Sequence, residues 1–209
     1  MINLQFEHLV KSYAGKKTLC INLQITKGEI VHLYGISGSG KTTLLKIIAG
    51  FKNPDKGMIQ VAGRVWFDSI QRINLPVNQR KAGFVFQNYA LFQHMTVIAH
   101  LKYACKNVEL IDRLINMAAL ESFINHLPST LSAGQQQRLG IIRALSICPP
   151  LLLMDEPFSA LDDDSKALLL IDLQEFFIEY GMTAIIASHN HSEMIGLATN
   201  YLNINDCLR

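Results

Sequence analysis

Residues 35–42 read GISGSGKT. Three glycines, Gly35, Gly38 and Gly40, allow a backbone to curl until its N–H groups point inward, the arrangement that grips phosphate oxygens. Ser37 and Ser39 lie within the same loop. Lys41 follows with a cation able to reach the outer phosphates of a nucleotide, and Thr42 with a hydroxyl able to ligate Mg²⁺. Thr43 extends the hydroxyl pair into the helix that must open here, whose N-terminus carries the positive end of its dipole. A second group of chemical residues stands at 151–157, LLLMDEP. Asp155 is expected to hold Mg²⁺, and Glu156 to orient a water or take its proton. Adjacent carboxylates on a strand point to opposite sides unless the backbone turns, so the two are expected to have different tasks. A third stretch, LSAGQQQR at 131–138, holds no nucleophile, metal set or acid–base pair, and its use is not evident from its own residues.

These groups need elements to position them. EIVHLYG before the glycine loop is a short apolar run of the buried parallel-strand kind, and KTTLLKIIAG after it has helical spacing. LLLMDE and MTAIIAS are further buried strands, and open parallel sheets bind ligands beyond the carboxyl ends of such strands. Strands are also expected at 2–10, 19–25 and 83–86, with two short ones within 58–67. From about 95 to 127 strand signals give way to helical spacing, as in VELIDRLINMAALESFI. A helix is expected after residue 134, another over 163–180 ending at Gly181, and a last helix and strand near the C-terminus. Strand–helix alternation of this kind predicts an α/β fold with a mostly parallel sheet, and an N-terminal antiparallel β subdomain and an inserted helical subdomain are expected beside it. One domain over 1–209 is expected, with 1–87 and 148–209 forming the core and its β subdomain and about 88–147 the helical part.

Composition narrows the classes. The chain has 209 residues, 49% hydrophobic and 17% charged, and its net charge of +2 provides no basic stripe for nucleic acid, so no nucleic-acid partner is expected. Cys20, Cys105, Cys148 and Cys207 are widely spaced, which points away from a zinc site or disulfide framework and towards reduced thiols. The N-terminus does not read as a signal peptide, and no apolar run is long enough to span a bilayer. Asp162, Asp163 and Asp164 suit the start of a helix, with Asp162 held apart for a second role. His189 and His191 lack a third ligand and are not read as a metal pair.

Taken together, the motifs resemble the ATP-binding cassette (ABC) ATPases across essentially the whole chain. LSAGQQQR resembles the family's signature sequence, usually LSGGQ; GISGSGKTT resembles its Walker A motif and LLLMDE its Walker B motif. Gln87 in FVFQNYALF matches the Q-loop glutamine, Ser159 to Asp162 (SALD) the D-loop, and His189 in IIASHN the switch histidine. Tyr13 in VKSYAGKK matches the aromatic that stacks on adenine, against the plainer reading of a strand-end aromatic. The resemblance implies ATP and Mg²⁺ as ligands, with Thr42, Asp155 and Gln87 around the metal and Glu156, His189 and Gln87 around the reacting water. It also implies a head-to-tail dimer in which Ser132, Gly134 and Gln135 of one cassette cover the ATP of the other. Gln135 to Gln137 are then expected to line an interface that opens and closes, and Arg138 and Arg143 to be structural.

The segment INLPVNQRKAGFVFQNYALFQHMTV resembles the ATPases of bacterial importers for molybdate, sulfate and polyamines, and VWFDS tilts towards the molybdate type. The expected partners are an integral-membrane permease, a second ATPase subunit and, indirectly, a solute-binding protein. The expected location is the cytoplasmic face of the cell membrane. The C-terminal regulatory domain of those relatives is expected to be absent, because the sequence stops at Arg209. Ala133 departs from the usual glycine, Asn190 from an aspartate after the switch histidine, Gln93 from a proline, and Ala99-His100 from Glu-Asn; the last three positions lie near the implied subunit contacts. A non-transport ABC ATPase acting on a soluble complex is the alternative. A small-molecule P-loop kinase would leave LSAGQQQR and SALD unused.

Overall fold

The computed structural model describes residues 1–12 and 15–209. Its centre is a five-stranded, wholly parallel sheet in the order β10-β3-β9-β8-β7. The strands are β3 (Ile30–Tyr34), β7 (Ala82–Val85), β8 (Leu151–Asp155), β9 (Ala184–Ala187) and β10 (Asn200–Asn203). Residues of β8 and β9 are buried throughout, which is why they read as unbroken apolar runs. A second sheet is antiparallel, in the order β2-β1-β4-β5-β6, from β1 (Ile2–Ser12), β2 (Gly15–Ile25), β4 (Lys56–Val61), β5 (Arg64–Asp68) and β6 (Ile73–Asn74). The two-residue β6 carries no sequence pattern of its own.

Strand alternation divides the apolar residues between two cores. Leu152 and Met154 face one side of the parallel sheet and pack with α2 (Val97–Ala104), α3 (Val108–Met117), α4 (Ala133–Leu145) and α5 (Asp163–Tyr180). Leu151 and Leu153 face the other side, where α1 (Lys41–Ala49) is packed between the two sheets against Ile2, Leu4, Phe6 and Trp66. Helix ends follow the chain's punctuation. Gly50 and Gly181 close α1 and α5 in the left-handed conformation that glycine adopts without a Cβ penalty. Asp162 is the N-cap of α5, its side chain accepting from Ser165 N–H at 2.9 Å, with Asp163 and Asp164 in the first turn.

Near the C-terminus the expected last helix is not an α-helix. Ser192–Met194 forms a single 3₁₀ turn, followed by β10 and a second 3₁₀ turn at Ile204–Cys207. Gly196, in the left-handed region at φ 86°, follows too closely for an α-helix to develop. Among the described residues no helix is long and apolar enough to cross a membrane.

Candidate functional site

The parallel sheet brings four motifs to one edge. β3 runs into the glycine loop, β7 into Gln87, β8 into Asp155 and Glu156, and β9 into Ser188 and His189. Because all the strands point the same way, their carboxyl ends share this edge.

The glycine loop is built by backbone that other residues resist. Gly35 has φ 147°, and a Cβ there would stand 2.5 Å from Ile204 Cγ2. Gly40 is left-handed at φ 105° and is the N-cap of α1. Lys41 is only 8% exposed; its Nζ donates to Gly35 O at 2.8 Å and Ile36 O at 3.4 Å. Ser39 Oγ is buried without a hydrogen-bond partner among the described residues, so the loop holds a spare polar atom beside its N–H groups. Ser37 is exposed on the loop, and Thr43 is half-buried in the first turn of α1. A cavity of about 330 Å³ opens here, lined by Tyr34, Gly35, Ile36, Ser37, His189, Asn203 and Asn205. A larger one of about 710 Å³ lies on the antiparallel sheet near Phe6, Met58 and Ile70, with neither the glycine loop nor His189 in its lining. The chemistry therefore selects the smaller.

Thr42 Oγ1 donates to Asp155 Oδ1 at 3.0 Å, joining the loop to the strand end. Burial raises the Asp155 pKa, the neighbouring Glu156 charge adds to the rise, and the Thr42 hydrogen bond opposes it. A divalent cation would reverse that balance. An alcohol and a carboxylate are hard oxygen donors that fit Mg²⁺. The next residue turns the chain: Glu156 has φ 48°, outside the ordinary range for a side-chain-bearing residue. The two carboxylates also have different partners: Asp155 takes the Thr42 hydroxyl and Glu156 faces His189. Glu156 Oε2 lies 2.9 Å from His189 Nδ1, with Glu156 15% and His189 71% exposed. Gln87 stands exposed after β7, and no hydrogen bond joins it to Asp155 or Glu156. Tyr13 lies outside the described residues.

The signature segment caps α4. Ser132 and Gln135 form a reciprocal capping box, the Ser132 side chain accepting from Gln135 N–H and the Gln135 side chain from Ser132 N–H. Gly134 packs against the D-loop, where a Cβ would lie 3.2 Å from Ala160 O. Of the three glutamines expected to line an interface, Gln137 is instead buried within its own chain. Gln135 serves the cap, Gln136 Nε2 donates to Leu131 O at 3.0 Å, and Gln137 is 1% exposed. Gln137 Nε2 donates to Glu156 O at 2.9 Å and its Oε1 accepts from Ala160 N–H at 2.7 Å. Ser159 Oγ also donates to Glu156 O, at 3.1 Å. Asp162 has its side chain engaged as the α5 cap. Arg143 reaches the segment after Gln87, donating to Ala90 O at 2.6 Å and Tyr89 O at 3.2 Å, where both residues have positive φ.

Sequence reasoning missed two positioning residues. Arg80 is buried and donates to Leu75 O, to Asn74 Oδ1, and to Ile47 O and Ile48 O at the end of α1. His100 is fully buried, not on the subunit-facing surface: its Nδ1 meets Thr96 O at 2.8 Å and its Nε2 accepts from Phe92 N–H at 3.0 Å. No local pattern marks either one, because each acts on backbone carbonyls or N–H groups whose positions only the fold supplies.

A protein-family model for the ABC transporter matches residues 20–159. The chain is 39% identical over 194 residues to the molybdenum import ATP-binding protein ModC of Saccharophagus degradans, covering 90% of this chain and 53% of that protein. It is 35% identical to a probable sulfate/thiosulfate import ATP-binding protein CysA of Chlorella vulgaris, covering 94% and 85%. The chain thus spans about half the length of several curated relatives it matches, though most of the Chlorella protein. A dimeric, post-hydrolysis structure of the ATP-binding cassette MJ0796 bound to ADP and Pi superposes with a TM-score of 0.77 at 30% identity, covering 92% of this chain and 90% of that one. On the matched family model, the identity to these cassettes and the shared fold, the chain belongs to the ABC transporter family.

Proposed function

We propose that the chain binds and hydrolyses ATP as the motor subunit of a solute importer. The observation that carries this reading is the junction of Thr42 and Asp155, which puts a phosphate loop and a metal-suited carboxylate on one sheet edge with Glu156 turned away beside them. Gly35, Ser37, Gly38, Ser39, Gly40, Lys41, Thr42 and Thr43 hold the phosphates through backbone N–H groups, hydroxyls and the lysine cation. Thr42 and Asp155 would hold Mg²⁺, with Gln87 as a further oxygen donor to it. Mg²⁺, when bound, neutralises charge on the β- and γ-phosphates. Glu156 accepts the proton of a water whose oxygen attacks the γ-phosphorus; the bond to the bridging oxygen breaks and ADP leaves. His189 holds the Glu156 carboxylate and contacts the γ-phosphate from the end of β9. Tyr13 stacks on the adenine.

Two cassettes are needed to complete each site. Ser132, Gly134 and Gln135 present the α4 N-terminus to the partner's γ-phosphate, and Ser159 and Asp162 belong to the D-loop that accompanies it. The segment from about 88 to 147 works as one helical unit against 1–87 and 148–209. The partners we infer are a second ATPase subunit, an integral-membrane permease and, through it, a solute-binding protein, with the motor on the cytoplasmic membrane face. ModC, CysA and PotA relatives are named for molybdenum, sulfate/thiosulfate and spermidine/putrescine import, and a molybdate-type oxyanion is the first solute to try. Affinity capture from gently solubilised host membranes tests the transport part. A polytopic membrane protein in near-stoichiometric yield supports it; a soluble complex with an empty membrane fraction overturns it.

A further inference from the structure

Gln137 stands where the two halves of the chemistry meet, and its side chain is used entirely within its own chain. It sits one turn beyond Ser132 on α4, on the same face as Gly134, which rests against Ala160 O. The buried amide gives one hydrogen bond to Glu156 O and takes one from Ala160 N–H. It therefore joins the helix that presents the α4 N-terminus to the backbone of both Glu156 and the D-loop. That backbone needs holding. Glu156 is in the left-handed region at φ 48°, its N–H donating to Ala187 O at 2.9 Å, and Gln137 and Ser159 converge on its carbonyl. Strained backbone of this kind persists only where surrounding contacts over-determine it.

We infer that Gln137 is a positioning residue for hydrolysis, transmitting engagement of the partner's nucleotide at Ser132 and Gly134 to the orientation of its own chain's Glu156. The inference rests on the proposed catalytic role of Glu156. A neutral amide satisfies both contacts, because one atom must donate and the other accept. A carboxylate at this position accepts from Ala160 N–H but faces Glu156 O with a second acceptor. A protonated carboxyl restores the donor. The role should thus appear in kcat and in its pH dependence, with little effect on nucleotide binding at the chain's own phosphate loop.

The test uses the full chain, with Mg·ATP turnover from pH 6 to 8, ATP affinity by calorimetry, and circular dichroism to verify folding at the assay temperature. Gln137→Leu is expected to lower kcat about tenfold to a hundredfold and to move KM by less than about threefold. Gln137→Glu is expected to be as poor at pH 8 and to recover about tenfold relative to wild type as the pH falls to 6, since burial raises a carboxyl pKa. Turnover of Gln137→Leu within about twofold of wild type, or an activity ratio for Gln137→Glu that is flat with pH, overturns the inference. Should Gln137→Leu fail to fold, the Gln137→Glu ratio decides alone. Glu156→Gln run alongside separates the two levels. If it is inactive while the Gln137 variants turn over normally, only the positioning role falls; if it turns over normally, the reading of Glu156 falls and the inference with it.

Discussion

His189 Nδ1 lies 2.9 Å from Glu156 Oε2, joining the end of β9 to the turn after β8. The histidine is largely exposed and the glutamate largely covered, so the ring closes over the carboxylate from the solvent side. Removing it should free the Glu156 side chain without disturbing the phosphate loop. His189→Ala is expected to lower kcat about a hundredfold with ATP affinity nearly unchanged, a split that single-turnover kinetics and calorimetry together resolve.

Lys41 is held inside its loop by Gly35 O and Ile36 O. Its charge is the main attraction for the outer phosphates. Lys41→Ala should weaken ATP binding by about tenfold or more, read by calorimetry. Retained affinity would remove Lys41 from the site.

Arg80 stabilises the far end of the phosphate-loop helix. Its guanidinium meets the last carbonyls of α1, where the helix dipole is negative, and Gly50 leaves room for it: a Cβ there would stand 2.7 Å from Arg80 Nε. Arg80→Met leaves Ile48 O unpaired and Ile47 O with only the Gly50 N–H, and should destabilise the fold by about 2–4 kcal/mol in denaturant titration. Gly50→Ala should also destabilise, from steric contact and from φ 90°.

Ala133 takes the place of the family's usual glycine. It is the first residue of α4, exposed and absent from the positive-φ positions, so an alanine fits it without strain. Ala133→Gly is therefore expected to cost no more than about 1 kcal/mol of stability. Ser132→Ala removes the cap hydrogen bond and should cost about 1 kcal/mol while also weakening ATP-dependent dimerisation.

Stability should depend on pH through buried histidines. Burial lowers the pKa of His100 and of His32. Below the usual value of about 6.5 the unfolded chain binds protons that the folded chain refuses, so folding loses stability. Their contribution is complete above that value and is lost as pH falls from there through the lowered folded values. Protonation of His100 also abolishes the acceptor for Phe92 N–H. Thermal melting should show a midpoint that declines below about pH 6.5, less steeply in His100→Gln; an equal decline in both would clear His100 of the effect.

Much of this was legible in the sequence because one feature governed it locally. Buried apolar runs marked β3, β8 and β9, and glycines with the lysine and threonine marked the loop between β3 and α1. Two adjacent carboxylates at a strand end suggested different tasks, but the positive φ of Glu156 left no mark in the sequence. The 3₁₀ turn at Ser192–Met194 was read as a helix because the distinction rests on a few glycine and loop torsions. The burial of Gln137 was not legible for a deeper reason. An exposed, partner-facing amide and a buried one tying Ala160 to Glu156 have the same sequence; only the packing of α4 against the D-loop distinguishes them. Arg80 was illegible because Ile47 O and Ile48 O lie 33 and 32 residues away, and His100 because its partners, Thr96 O and Phe92 N–H, are backbone groups that no residue type marks.

The most direct test of the account is Mg·ATP hydrolysis by wild type and Glu156→Gln, with solution mass measured by light scattering before and after ATP. The wild type should release phosphate, the variant almost none, and an ATP-dependent doubling of mass should persist in the variant. Phosphate release by Glu156→Gln at the wild-type rate would contradict it.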